Sequence, residues 1–99
     1  MSLFVFIGHD VADSTDSRKA HRAAHLARLE ALDAAGRLVI AGPNPITHGE
    51  SAMSGSVVIA DFESIEAAQA WADEEPYLHG GVYSHVDIKP FIHVLPKAQ

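Results

Sequence analysis

Five apolar residues in a row, Leu3-Phe4-Val5-Phe6-Ile7, stand near the start of the chain and are closed by Gly8. A short apolar run ended by glycine reads as a strand. Asp13-Ser14-Thr15-Asp16-Ser17 follows, and such side chains cap helices by accepting from the open N–H groups of the first turn. A helix is therefore expected from about Ser17 to Ala35, stopped by Gly36 as the left-handed residue beyond its end. Arg37 to Ala41 predicts a second strand. Gly42-Pro43-Asn44-Pro45 and the polar stretch to Ser54 predict a loop, and at about a dozen residues it has the length at which connections are often functional. Ser56 to Phe62 predicts a third strand. Ser64 can cap a second helix, in which Ile65, Ala68 and Ala72 share a face. That helix must end before Pro76, because the residue preceding a proline is pushed out of the α region. Val82 to Lys89 alternates Val86 and Ile88 with His85, Asp87 and Lys89, the period of a fourth strand. Phe91 to Val94 is read as a short fifth strand after the break at Pro90.

The order is βαββαβ, an α+β chain with the ferredoxin-like split βαβ. In that fold both helices cover one face of a four-stranded antiparallel sheet, so the other face of a monomer should be polar. Here it is not. The first strand carries Leu3, Val5 and Ile7 on one side and Phe4 and Phe6 on the other, and the third sets Val57 and Ile59 against Val58, Ala60 and Phe62. An apolar open face of this size marks an interface, and the expected partner is a second copy, packed sheet face to sheet face.

With 99 residues the chain makes one domain, 1–99, large enough to bury a core. Its 47% hydrophobic and 20% charged residues are those of an ordinary globular protein. No apolar run approaches a membrane span, and the start MSLFVFIGHD lacks a basic segment and a small-residue cleavage site. The absence of cysteine rules out disulfides and thiolate chemistry. The cytoplasm is the expected compartment. A formal net charge of −6 with no cluster of Lys and Arg argues against a nucleic-acid partner.

Candidate chemistry centres on His25. With Leu29 at zero and about 100° per residue, Leu26 falls near +60°, Leu32 near −60° and His25 near −40°. A titratable ring thus lies on the buried face, as a hydrogen-bonded core histidine or as the lining of a pocket. The topology gathers Asp10, His21, His25, Ser54, Ser56, Glu75 and Tyr77 at one end of the domain, beside the turn at Gly42-Pro43. A carboxylate near a partly buried histidine suits a general base or acid, so Asp10 and Glu75 are the candidate partners. Each of these residues also has a structural reading: Asp10 as a cap, Ser54 and Ser56 as turn and strand-edge residues, Tyr77 as core or rim, Gly42-Pro43 as a tight turn. His21 and His25 are spaced for one metal ion, but no third ligand stands at a recognisable spacing and HExxH is absent. With no GxGxxG, GxxxxGK[ST] or GxSxG, no cofactor is called for.

His25-Leu26-Ala27-Arg28-Leu29, Gly36-Arg37-Leu38, Ala41-Gly42-Pro43, Gly55-Ser56-Val57-Val58-Ile59-Ala60, Glu75-Pro76-Tyr77, Gly81-Val82-Tyr83 and Lys89-Pro90-Phe91 together give the chain a resemblance to the YCII-related family over nearly its full length. The resemblance implies a ferredoxin-like dimer of the α/β-barrel type, an architecture shared with muconolactone isomerases and a dehydrochlorinase of chlorinated hydroxyquinols. It also implies an active-site histidine and aspartate. The histidine maps onto His25, and the Asp-Pro-Tyr motif falls on Glu75-Pro76-Tyr77, so Glu stands where the family has Asp. Asp10 matches an acidic position of close relatives. The expectation is a cofactor-free isomerase or lyase in which His25, with Asp10 or Glu75, moves a proton on a small metabolite, aromatic rings included. His21, Gly42, Pro43, Ser54, Ser56 and Tyr77 would surround that ligand. The alternative is a noncatalytic dimeric binding or accessory module in which His25 is structural.

Overall fold

The computed structural model describes residues 2–97. Its elements are β1 (Leu3–Asp10), α1 (Thr15–Ala34), β2 (Leu38–Pro45), β3 (Met53–Asp61), α2 (Ile65–Asp73), the single turn α3 (Pro76–His79) and β4 (Tyr83–Phe91). The four strands form one antiparallel sheet in the order β2-β3-β1-β4. This is the ferredoxin-like βαββαβ arrangement expected from the hydrophobic pattern.

Alternation along β1 divides its side chains between the two faces of the sheet. Phe4 and Phe6 join Val58, Ala60 and Phe62 in a core closed by Leu29 and Leu32 of α1 and by Ala68 and Ala72 of α2. Phe6, Phe62 and Trp71 meet edge-on or tilted there, with ring centroids 5.2–5.6 Å apart. On the opposite face Val5 pairs with Ile59, Ile7 with Val57 and Ile40 with Ile59. Among the described residues no helix covers this second face, and Ile40 is 61% exposed on it.

Punctuation residues act largely as expected. Gly36 takes φ 72° beyond α1, and the Ser64 hydroxyl accepts from Ala67 N–H at the start of α2. Helix α1 begins at Thr15 rather than Ser17. Ser14 stands at its N-cap without a side-chain capping bond, and its hydroxyl donates to Asp10.

Three expectations need correction. The segment Gly42-Pro43-Asn44-Pro45 is strand, not loop: β2 continues through Gly42↔Val57 and Pro43↔Ser56 to Pro45. As an edge strand β2 can turn the missing N–H of a proline outward. The third strand accordingly begins at Met53 rather than Ser56, and the connection shrinks to residues 46–52. The fifth strand does not form. Edge strand β4 absorbs Pro90, paired with Phe4, and ends at Phe91, leaving Ile92 and Val94 exposed outside the sheet.

Candidate active site

The carboxyl end of β1, the start of α1, the turn α3 and the facing ends of β2, β3 and β4 meet at one end of the domain. Helix α1 supplies most of the candidate side chains because its inward face carries polar groups in its first half and leucines in its second. His25 is buried there with Leu29 and Leu32, at 7% exposure.

Glu75 is the partner of His25. Its Oε1 lies 2.5 Å from His25 Nδ1, and its Oε2 accepts from Arg28 Nη1 at 3.0 Å. Oε1 also accepts from the backbone N–H of Tyr77, at 3.3 Å, so the same carboxylate caps α3. Glu75 is only 4% exposed, and these three donors replace the water it gives up. Arg28 is itself fixed, its Nη2 donating to the Trp71 carbonyl and its guanidinium lying 4.3 Å from the Trp71 ring centroid. Tyr77 stacks on the imidazole of His25, centroids 3.9 Å apart and planes within 11°.

Asp10 belongs to a second buried pair. Its carboxylate accepts from Arg18 Nε at 2.6 Å, Arg18 Nη2 at 2.8 Å and the Ser14 hydroxyl at 2.5 Å. Arg18 Nη2 reaches on to the Gly55 carbonyl and the Ser56 hydroxyl, tying β1, α1 and β3 together. Its guanidinium sits 5.0 Å from the Tyr77 ring centroid. Burial disfavours the Arg18 charge, but the hydrogen bond and charge of Asp10, helped by Tyr83 and Tyr77, outweigh it and raise the pKa.

Burial likewise lifts the phenols of Tyr83, to about 12, and Tyr77; the nearby Arg18 charge pulls both the other way. Both hydroxyls therefore remain protonated at neutral pH. Tyr83 can lie flat under the sheet because β1 has glycine beside it: a Cβ at Gly8 would fall 2.5 Å from the Tyr83 ring.

Between α1 and the β2–β3 strands opens a cavity of about 400 Å³. His25 and Tyr77 line it with Gly42, Pro43 and Ser56. Leu26, Leu29, Ala41 and Val58 supply apolar wall, and Arg18, Lys19 and Arg22 stand toward the start of α1.

Of the residues expected to form one site, His25, Glu75, Tyr77, Ser56, Gly42 and Pro43 are brought together. Asp10 is one step removed, paired with Arg18 rather than His25. His21 and Ser54 fall outside the cavity lining. The His21 ring packs on Gly80, leaving no room for a Cβ, and the Ser54 hydroxyl donates to the Asn44 carbonyl. His25 Nδ1 is taken by Glu75, while the His21 ring lies against Gly80. Among the described residues, a group of three potential metal ligands stands at His9, His85 and Asp87 on the uncovered sheet face, with ligand atoms within 4.8 Å. His9 Nε2 lies 2.8 Å from Asp87 Oδ2, and the two imidazoles stack at 4.3 Å.

Four cations were missed: Arg18, Lys19 and Arg22 at the cavity and Arg28 behind Glu75. A signal existed for two of them. At about 100° per residue Arg18 and Arg22 fall about 20° to either side of Leu29, on the same inward face as His25.

A model of the YCII-related domain matches residues 2–92. The protein YciI of Escherichia coli O6:H1 is 53% identical over 93 residues, covering 90% of this chain and 95% of its own. A protein of Haemophilus influenzae is 44% identical over 92 residues, covering 89% and 94%. Among solved structures, 5-chloro-2-hydroxyhydroquinone dehydrochlorinase (TftG) from Burkholderia phenoliruptrix AC1100, in complex with 2,5-dihydroxybenzoquinone, superimposes with a TM-score of 0.82 at 26% identity, over 93% of this chain and 95% of that one.

Proposed function

The chain belongs to the YCII-related domain family, and from that premise we propose that it is a cytosolic small-molecule enzyme whose general base is His25, oriented by Glu75. The observation that carries this reading is the buried His25–Glu75 pair at the wall of the cavity. An ionised carboxylate can only accept, so Glu75 fixes the proton on Nδ1 and leaves the Nε2 lone pair as the basic atom. Arg28 and the Tyr77 N–H hold the carboxylate still, and Tyr77 holds the ring plane.

The reaction class is proton abstraction next to a carbonyl or enol. Nε2 takes the proton, and the C–H electron pair becomes the new double bond of an enolate. The proton then returns to a different carbon, which is isomerisation, or a leaving group departs with the electron pair of its bond and the proton on Nε2 is released to water, which is elimination. Either course needs one positioned base and no redox change. The likeness to TftG, a dehydrochlorinase solved with a dihydroxybenzoquinone, supports a small oxygenated ring as substrate. Asp10 acts at one remove, by setting Arg18 against Tyr77 and Ser56. The uncovered face of Val5, Ile7, Ile40, Val57 and Ile59 would pack on a second copy.

Proton exchange into deuterated solvent tests the catalytic role. A panel of hydroxylated quinones and unsaturated lactones should include compounds whose α-hydrogens exchange in the presence of the protein. His25→Asn should slow that exchange about a hundredfold or more, with the circular dichroism spectrum retained. Exchange at the wild-type rate in His25→Asn would remove His25 as the base. If instead the variant simply unfolds at lower urea and no compound exchanges with wild type, the histidine is structural and the protein a binding module.

A further inference from the structure

Three of the chain's seven Lys and Arg residues, Arg18, Lys19 and Arg22, line the cavity, and no Asp or Glu lines it. In a chain of formal net charge −6 this is a local reversal of sign. Arg18 is neutralised by Asp10. Lys19 and Arg22 are not: among the described residues no carboxylate pairs with either. Arg22 nevertheless acts on the site, since its charge, after that of Arg18, lowers the pKa of Tyr77 against the effect of burial. The cavity is thus divided along α1. Its cationic part lies toward the helix start, and its apolar part, at Leu26, Leu29 and Val58, lies beyond His25. One helical turn, about 5 Å, separates Arg22 from the level of His25 and Leu26, which is the span of a ring carrying one carboxylate.

We propose that the ligand of this cavity is an organic anion, a carboxylate borne by a small aromatic or unsaturated ring. Its carboxylate lies against Arg22 and Lys19, and its ring lies on Leu26 and Leu29 beside His25. The inference rests on the cavity being the substrate site proposed above. A guanidinium fork matches a carboxylate in two parallel hydrogen bonds, and Lys19 adds a mobile point charge. The apolar wall selects for a ring behind the anion. The same cations also favour the reaction: removal of a proton from carbon builds negative charge on the ligand, and fixed positive groups nearby stabilise it.

Calorimetric titration of the full chain at low salt tests the proposal with benzoate and 2-hydroxybenzoate against their uncharged amides, benzamide and 2-hydroxybenzamide. The acids should bind about tenfold more tightly than the amides, equivalent to about 1.4 kcal/mol, and added potassium chloride should shrink the difference. In the double variant Lys19→Gln, Arg22→Gln the preference should fall below about twofold, within the range left to polar contacts alone. Both side chains are exposed at the helix surface, so the variant keeps its fold, which circular dichroism checks. Amides that bind as well as acids, acids that fail to bind at millimolar concentration, or a preference that survives in the double variant would each overturn the proposal. Acid-selective binding with no His25-dependent exchange would support the ligand class while sinking the catalytic reading. His25-dependent exchange without acid preference would sink the ligand class alone.

Discussion

His25 Nδ1 stands 2.5 Å from Glu75 Oε1, across 50 positions of sequence, and the other oxygen of that carboxylate holds Arg28. One buried carboxylate therefore serves three donors on two elements: the imidazole, the guanidinium and the first turn of α3. Removing its charge leaves Arg28 without a counterion and weakens the bond that orients His25.

Glu75→Gln should destabilise the protein by about 3 kcal/mol, the usual range for breaking a buried ion pair. Urea denaturation followed by circular dichroism measures it. Glu75→Asp, the residue of the family motif, shortens the reach by one methylene. It keeps the charge but cannot span His25 and Arg28 from the same backbone position, so its loss should be smaller, about 1 kcal/mol. Equal urea midpoints for wild type and Glu75→Gln would show that the carboxylate contributes nothing to the fold.

Gly8 has a purpose that only the cross-strand neighbour reveals. A methyl there would meet the Tyr83 ring at 2.5 Å, so Gly8→Ala forces the ring to move within a packed layer. Overpacking of this kind costs about 1–3 kcal/mol. The same substitution in a Tyr83→Val background should cost far less, because the clashing ring is gone. A double-mutant cycle in urea reads the coupling directly, and additive effects would refute the contact.

Much of this architecture can be read from local pattern. The alternation of Phe4 and Phe6 against Val5 and Ile7, the stop at Gly36, the cap at Ser64 and the inward phase of His25 each follow from a period or a backbone preference within a few residues. What stayed hidden depends on distant partners. Gly42-Pro43 looks like a turn until β3 offers Val57 and Ser56 to pair with it. By sequence both Asp10 and Glu75 stand as candidate partners of His25, because nothing local says that Arg18 claims the first and Arg28 braces the second. Helix phase showed which face turns inward but not what waits opposite.

Tyr83 links the site to alkaline stability. Its phenol is pushed up to about 12, against about 10 for an unfolded tyrosine. The raised value means that the folded state holds this proton more tightly than the unfolded chain does. The resulting stabilisation is fully present below about pH 10 and is lost as pH rises toward 12, since the unfolded tyrosine ionises first. The loss should approach roughly 3 kcal/mol. Urea midpoints measured from pH 9 to 12 should fall for wild type and fall less steeply for Tyr83→Phe, which has no proton to lose. Parallel slopes would place the alkaline sensitivity elsewhere.

The uncovered face of the sheet makes the sharpest prediction about assembly. Val5, Ile7, Val57 and Ile59 are half-buried there, and Ile40 is 61% exposed on edge strand β2. A lone domain gains nothing from Ile40 in water, so Ile40→Glu should leave a monomer as stable as before, within about 0.5 kcal/mol. Ile59→Glu, next to Ile40 across the ladder and to Val5 on its other side, places a charge at the centre of the patch. If two copies pack face to face, wild type should sediment as a dimer at micromolar concentration and both variants should shift toward monomer, Ile59→Glu more strongly, since an unpaired carboxylate buried in the middle of an apolar interface cannot be solvated. Wild type that sediments as a monomer would remove the dimer. Variants that remain dimeric would move the interface to another surface.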